Sequence, residues 1–194
     1  KNIIQAAQRA GVRKLVFSSV IHPVLNLPNH AAKALVEEVL VNSGLEYTIL
    51  HPTMLYQNYA ASWDRIVETG ILAEPWSADT RFSRVDYRDV ADVAAIALTE
   101  DRLAFGTFEL CAPDILTRHG VAELLSQVLG KKVGYATLDR NKLGNVPKDM
   151  LTMFEHYDHS GLLGNPLTLR SILGREPRTL RAYFEELMHM FRCE

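Results

Sequence analysis

The sequence has no glycine-rich turn. Neither G-x-G-x-x-G nor G-x-x-G-x-x-G occurs among its 194 residues, so the chain carries no loop of the kind whose backbone N–H groups cradle phosphate. Gly161 and Gly164 come nearest, and the pattern places them in a helical, C-terminal context with no strand before them. Cysteine is scarce. Cys111 and Cys193 lie far apart, without metal-type spacing, which excludes a disulfide framework and suits a reducing cytoplasm. Apolar runs break well short of the ~20 residues a bilayer helix needs, which argues against a membrane span. Basic stripes interleaved with aromatics are absent too: 21 Lys and Arg against 23 Asp and Glu leave a net charge of -2, which speaks against nucleic acid. The first residue is Lys1 rather than Met, and no charged-then-apolar leader follows. Because a helix is already under way at Ile3, Ile4, Ala7 and Ala10, with Gly11 as its stop, the expectation is an internal start with further strands upstream.

What is present alternates strand and helix. Lys14 to Val20 is a short apolar run ending in small hydroxyl residues, read as a buried strand. Residues 21–29 form a proline-containing loop. Ala32, Leu35, Val36, Val39 and Leu40 then repeat at the spacing of one buried helical stripe, with Asn29 as expected N-cap and Gly44 as stop. Glu46 to Leu50 reads as a second buried strand, closed by His51-Pro52. Strand, helix and strand with short links make a βαβ unit, which builds a parallel sheet.

Residues 53–83 read as irregular apart from a short helix at Trp63–Thr69. From Asp89, the expected cap, a second stripe runs through Val90, Val93, Ala94, Ala97 and Leu98, and Gly106 to Cys111 is a further strand. Beyond Pro113 the pattern turns mainly helical. Thr117 caps a helix striped by Val121, Leu124, Leu125, Val128 and Leu129 and ended by Gly130. A short strand near Val133–Leu138 and a helix around Met150–His159 follow. A last helix carries Leu180, Tyr183, Phe184, Leu187, Met188 and Phe191. This divides the chain into a sheet-based part, residues 1–112, and a smaller lobe, residues 113–194, with 53–83 contributing to the lobe.

Several segments together resemble the NmrA-like proteins, a branch of the atypical short-chain dehydrogenase/reductase superfamily. They are Ala10 to Ser19 (AGVRKLVFSS); the His30/Lys33/Glu37 helix start; Ser43 to Pro52 (SGLEYTILHP) with Asn58; Asp86 to Val93 (DYRDVADV); and the tail Gly174 to Leu180 (GREPRTL). The order and spacing hold along nearly the whole chain. The resemblance implies a doubly wound parallel Rossmann-type sheet, incomplete here for want of its N-terminal strands, with a smaller C-terminal lobe. It also implies NADP(H) or NAD(H) as cofactor, bound at the carboxyl ends of the strands. The printed chain, lacking the glycine-rich turn, is expected to bind dinucleotide poorly by itself.

Candidate site residues follow from the same resemblance. Ser18 and Ser19 end the first strand, where the superfamily places a serine that polarises a substrate carbonyl, although the aligned third position is Val20. They either touch the nicotinamide ribose or a substrate oxygen, or are small residues that let the strand end pack. Lys33 stands where the Y-x-x-x-K lysine belongs, one turn after the tyrosine position. Here that position is Asn29, and an amide donates no titrating proton. Lys33 therefore remains as a binder of ribose or phosphate, in a first helical turn where the dipole disfavours a cation. His30 is the candidate substitute acid.

His51, Pro52, Thr53 and Met54 form the loop that the resemblance runs past the nicotinamide, with His51 replacing the family's more frequent arginine. Asn58 matches a family residue near the substrate pocket. Arg81, Arg84 and Arg88 are expected as surface charges. The Glu155 to His159 cluster lacks H-E-x-x-H and is expected to be a polar helix face, not a metal site.

Two functions stay open. One is an NAD(P)H-dependent oxidoreductase acting on a quinone-like or other small organic acceptor. The other is a non-catalytic NADP(H)-sensing protein that signals to a regulatory protein partner. A degenerate fragment without activity is the weaker third.

Overall fold

The computed structural model describes residues 2–190. Its organising element is a three-stranded parallel sheet. Strand β1 (Lys14–Ser18) pairs with β2 (Glu46–Pro52), and β2 pairs on its other side with β6 (Gly106–Leu110). The period-two alternation of strand side chains divides this sheet cleanly. Leu15, Phe17, Tyr47 and Ile49 face α1 (Asn2–Arg9) and α2 (Pro28–Val41), where they meet Ile4, Ala7, Val36, Val39 and Leu40. Val16, Leu50, Phe108 and Leu110 face the other way, onto Val93 and Ala97 of α4 (Tyr87–Thr99) and Leu169 and Ile172 of α7 (Leu167–Leu173). Helices on both faces of a parallel sheet make the doubly wound arrangement that the sequence leads one to expect.

The βαβ unit carries its helix on different terms from those expected. Leu27 is the N-cap residue and Pro28 the first helical residue, so Asn29 lies inside the first turn and caps nothing. Proline is well placed there, because its missing N–H is one of the four the helix leaves unpaired. The helix ends at Val41 with Asn42 as C-cap. Gly44, at φ +75°, instead makes the left-handed turn into β2. Of the expected stripe only Leu40 is buried, while Leu35 is 59% exposed.

Residues 53–83 are more ordered than their pattern indicates. Short strand β3 (Met54–Leu55) runs parallel to β5 (Phe82–Val85), a 3-10 helix spans Tyr56–Ser62, and α3 (Trp63–Thr69) lies where expected. Strand β4 (Ile71–Glu74) pairs in parallel with β8 (Gly134–Thr137), and β7 (Ile115–Leu116) pairs antiparallel with β5. These two- and four-residue strands are too short to display periodicity. Long-range ladder bonds hold them.

A second, aromatic core joins residues 56–72 to α5 and α8. Phe184 of α8 (Leu180–Met190) sits 5.2 Å from Tyr59 and 6.0 Å from Trp63, ring centre to ring centre. Val121 and Leu125 of α5 (Arg118–Leu129) close that core from another side. Thr117 caps α5 by accepting from Gly120 N, and Gly130 ends it at φ +64°, both as expected. Helix α6 (Lys148–His159) packs Tyr157 against Ile21, Phe82 and Leu162 in a separate cluster. Phe191 and Cys193 lie outside the described residues. Among the described residues no helix is long and apolar enough to cross a membrane.

Three further local readings are overturned. Asp86, not Asp89, caps α4, accepting from Arg88 N at 2.8 Å. Arg84 is 1% exposed rather than on the surface, packed between the rings of Tyr59 and Phe82. Gly161 and Gly164 lie in an extended loop, residues 160–166, not in a helix.

Candidate functional site

The carboxyl ends of β1 and β2 and the first turns of α2 converge. His30, Lys33 and Glu37 recur at helical spacing on the inner face of α2. Ser18 is exposed at the tip of β1. Ser19 is 7% exposed and extends the ladder by one bond, from its N–H to Leu50 O at 2.8 Å. Its hydroxyl donates to Glu37 Oε1. The same oxygen accepts from His51 Nε2 at 2.9 Å, and His51 is 9% exposed.

Lys33 places its ammonium 5.2 Å from the centre of the Phe17 ring. That geometry is a cation–π contact. Among the described residues Lys33 makes no hydrogen bond or ion pair, so its charge is available to a ligand. Asn29 is exposed one turn before it.

His30 is buried, and its Nδ1 lies 3.0 Å from His22 O, so that nitrogen carries the proton. Burial holds its pKa below the ordinary histidine value, against the two backbone contacts that favour the charged ring. His22 in turn adopts φ 51° and reaches Leu163 O with Nε2 at 2.7 Å. Together these bonds fix the loop leading from β1 to α2.

The β2–β3 junction presents His51, Pro52, Thr53 and Met54. Pro52 O accepts from Ile21 N at 3.0 Å, tying that loop to the strand tip. Thr53 is 6% exposed, and its Oγ1 is buried without a hydrogen-bond partner among the described residues. Met54 packs with Ile21, Phe82, Tyr157 and Leu162. Asn58 is exposed on the 3-10 helix and bonds to none of these residues. Its neighbour Gln57 is engaged, with Nε2 donating to Asp86 Oδ1 at 3.0 Å.

Residues 160–166 cross beside the strand tips. Leu162 O accepts from Ser83 N at 2.9 Å, and Gly164 N donates to Ser83 Oγ at 3.0 Å. Beside this segment opens a polar cavity of about 550 Å³, lined by His22, Arg81, Asp158 and His159 among others. Asp158 is held by Arg140 at 2.7 Å, and Tyr157 is buried. Within the Glu155 to His159 stretch, Asp158 and Tyr157 thus serve ion pairing and packing, and Glu155 and His159 are exposed.

Sequence reasoning brought together Ser18, Ser19, Lys33 and the His51–Met54 loop. It missed Glu37 as the link between Ser19 and His51. The available signals were its place in the His30/Lys33/Glu37 helix start and its position one turn beyond Lys33 on the inner face of that helix.

A doubly wound parallel sheet with polar groups gathered at its strand tips defines a dinucleotide-binding class of α/β protein. A model of the NmrA-like family matches residues 1–185, and the chain belongs to that family. Quinone oxidoreductase 2 of Escherichia coli is 26% identical, over 98% of this chain and 69% of that protein. An NAD(P)H azoreductase of Xenophilus azovorans is 30% identical, over 70% of this chain and 48% of its own length. The structure of the E. coli NADPH-dependent quinone oxidoreductase complexed with NADPH superposes with a TM-score of 0.84 at 25% identity, covering 96% of this chain and 70% of that one. The chain thus spans about two thirds of that enzyme's length.

Proposed function

We propose that the protein is an NAD(P)H-dependent oxidoreductase whose acceptor is a quinone or a similar small organic molecule. Asn29 carries the reading. It takes the tyrosine's place one turn before Lys33, so the superfamily's proton donor is missing while an uncommitted cation remains. Reducing a simple ketone generates an alkoxide that needs a positioned acid. A reduced quinone is a phenolate-like oxyanion whose conjugate acid has a pKa near ~10, on the tyrosine scale. Water protonates it unaided. The similarity to quinone oxidoreductase 2 along nearly the whole chain supports the same acceptor class.

The residues present fit a nicotinamide dinucleotide. Among the described residues Lys33 has no hydrogen-bond acceptor and the buried Thr53 hydroxyl has no partner, while Ser18 is exposed. All three stand at the strand tips where such ligands bind. The reduced nicotinamide supplies the hydride when bound. Lys33 would hold ribose or phosphate oxygens as a point charge. Ser18 would meet the ribose or a substrate oxygen, Ser19 would stand beside the nicotinamide nucleoside, and the His51 to Met54 backbone would flank the ring. Asn58 would lie toward the acceptor. His30, buried and bonded to the His22 carbonyl, serves in this reading to hold the loop. NADP(H) is favoured over NAD(H) by the likeness to an NADPH-bound structure.

The test is NADPH oxidation by the whole protein against a panel of quinones, with Lys33→Ala alongside. Turnover that collapses in Lys33→Ala supports the enzyme. Val20 at the aligned serine position, together with Asn29, favours a second reading: a non-catalytic NADP(H) sensor acting on a protein partner. Tight nucleotide binding without turnover on any acceptor would establish that one.

A further inference from the structure

Glu37 joins three elements at one atom. Its Oε1 accepts from Ser19 at the end of β1 and from His51 in β2, while the residue itself stands on α2. Both donors are more than nine-tenths buried, so water competes poorly for either bond. A serine hydroxyl has one proton and two lone pairs. With that proton given to a carboxylate, a strong charge-assisted bond, only the lone pairs of Ser19 are left for a ligand.

We propose that Glu37 is a positioning residue of the dinucleotide site, and that it fixes Ser19 as a hydrogen-bond acceptor. The ligand group that meets Ser19 is therefore a donor, either the carboxamide N–H of the nicotinamide or a ribose hydroxyl. This inverts the part a strand-end serine plays when it gives its proton to a substrate carbonyl. It also agrees with an acceptor that needs no positioned acid. The identity of the ligand rests on the function proposed above, whereas the link between Ser19, Glu37 and His51 does not.

The experiment uses the whole protein and two substitutions at Glu37. Glu37→Gln keeps an oxygen that can accept from both donors and is expected to bind NADPH as the native protein does. Glu37→Leu removes it and is expected to weaken NADPH about five-fold, the scale of one lost hydrogen bond, raising KM while leaving kcat nearly unchanged. Ser19→Ala should do the same, and the double variant should lose no more than either alone. Should Glu37→Leu fail to fold, Ser19→Ala and Glu37→Gln carry the comparison. Equal NADPH binding by native protein and Ser19→Ala would overturn the proposal, as would failure of Glu37→Gln to bind.

Binding of the 3-acetylpyridine analogue, whose methyl replaces the carboxamide amino group, separates the two donors. If it binds the native protein about five-fold more weakly than NADP and Ser19→Ala no worse, the donor is the carboxamide. If the native protein binds it as well as NADP and Ser19→Ala weakens both, the donor is a ribose hydroxyl.

A ligand-free measurement separates this proposal from the function it rests on. Imidazole nitrogen–proton correlation should find neutral His51 protonated at Nε2 in the native protein and Glu37→Gln, and a mixture of tautomers in Glu37→Leu. An unchanged tautomer in Glu37→Leu refutes the link. A native protein with the expected tautomer that binds no NADPH refutes the dinucleotide reading instead.

Discussion

Asp89 Oδ2 receives the backbone N–H of Arg178 at 2.8 Å, across 89 residues of chain. Its other oxygen accepts from the guanidinium groups of Arg175, at 2.8 Å, and Arg178. The carboxylate has no solvent exposure, and Asp92 adds a second acceptor for the same two arginines. One residue of α4 thereby clamps the segment leading into α8.

Removing that clamp should loosen the tail. Asp89→Ala is expected to cost about 1.5–3 kcal/mol, the range for hydrogen bonds to charged groups. The penalty is moderated because the two arginines are partly exposed and can rehydrate. Urea unfolding measures it. A cost like that of an ordinary surface substitution would show that the clamp is not holding the tail.

Gly161 should tolerate no side chain. A Cβ there would lie 1.7 Å from Arg81 O, and backbone cannot yield as a flexible side chain can. Gly161→Ala should displace residues 160–166 from the strand tips and lower the melting temperature by several degrees. A native melt for this variant would contradict the placement.

His30 predicts an acid-side loss of stability. Its folded pKa is lowered by burial, so the unfolded chain binds the proton more readily. Stability must then fall as pH drops from the unfolded value near 6.5 toward the lowered folded one. His30→Gln keeps an N–H donor without titrating. Its urea midpoint should vary less across that window than the native protein's, and equal slopes would exclude the contribution.

Phe184 tests the aromatic core. It is fully buried and contacts Tyr59, Trp63 and Tyr183. Burial of Tyr59 is deep enough to push its phenol up to about 12. Phe184→Ala should cost about 3–5 kcal/mol, through lost transfer energy and the cavity left behind. Chemical denaturation measures this. A loss below about 1 kcal/mol would mean that the core closes over the gap.

The sequence by itself determined the elements whose causes are local. The apolar run after Lys14 marked β1, Thr117 and Gly130 bounded α5, and alternating strand and helix implied a parallel sheet. Tertiary structure alone decided which of two nearby aspartates caps α4 and which clamps the tail. It also decided that Arg84 is enclosed by aromatic rings, that residues 54–55 and 82–85 pair, and that Glu37 ties Ser19 to His51. The physical reason is range. Caps and stripes arise between residues a few positions apart. The partners of Asp89 and Glu37 stand 14 to 89 residues away, and their bonds exist only once the packed sheet has brought those distant segments together.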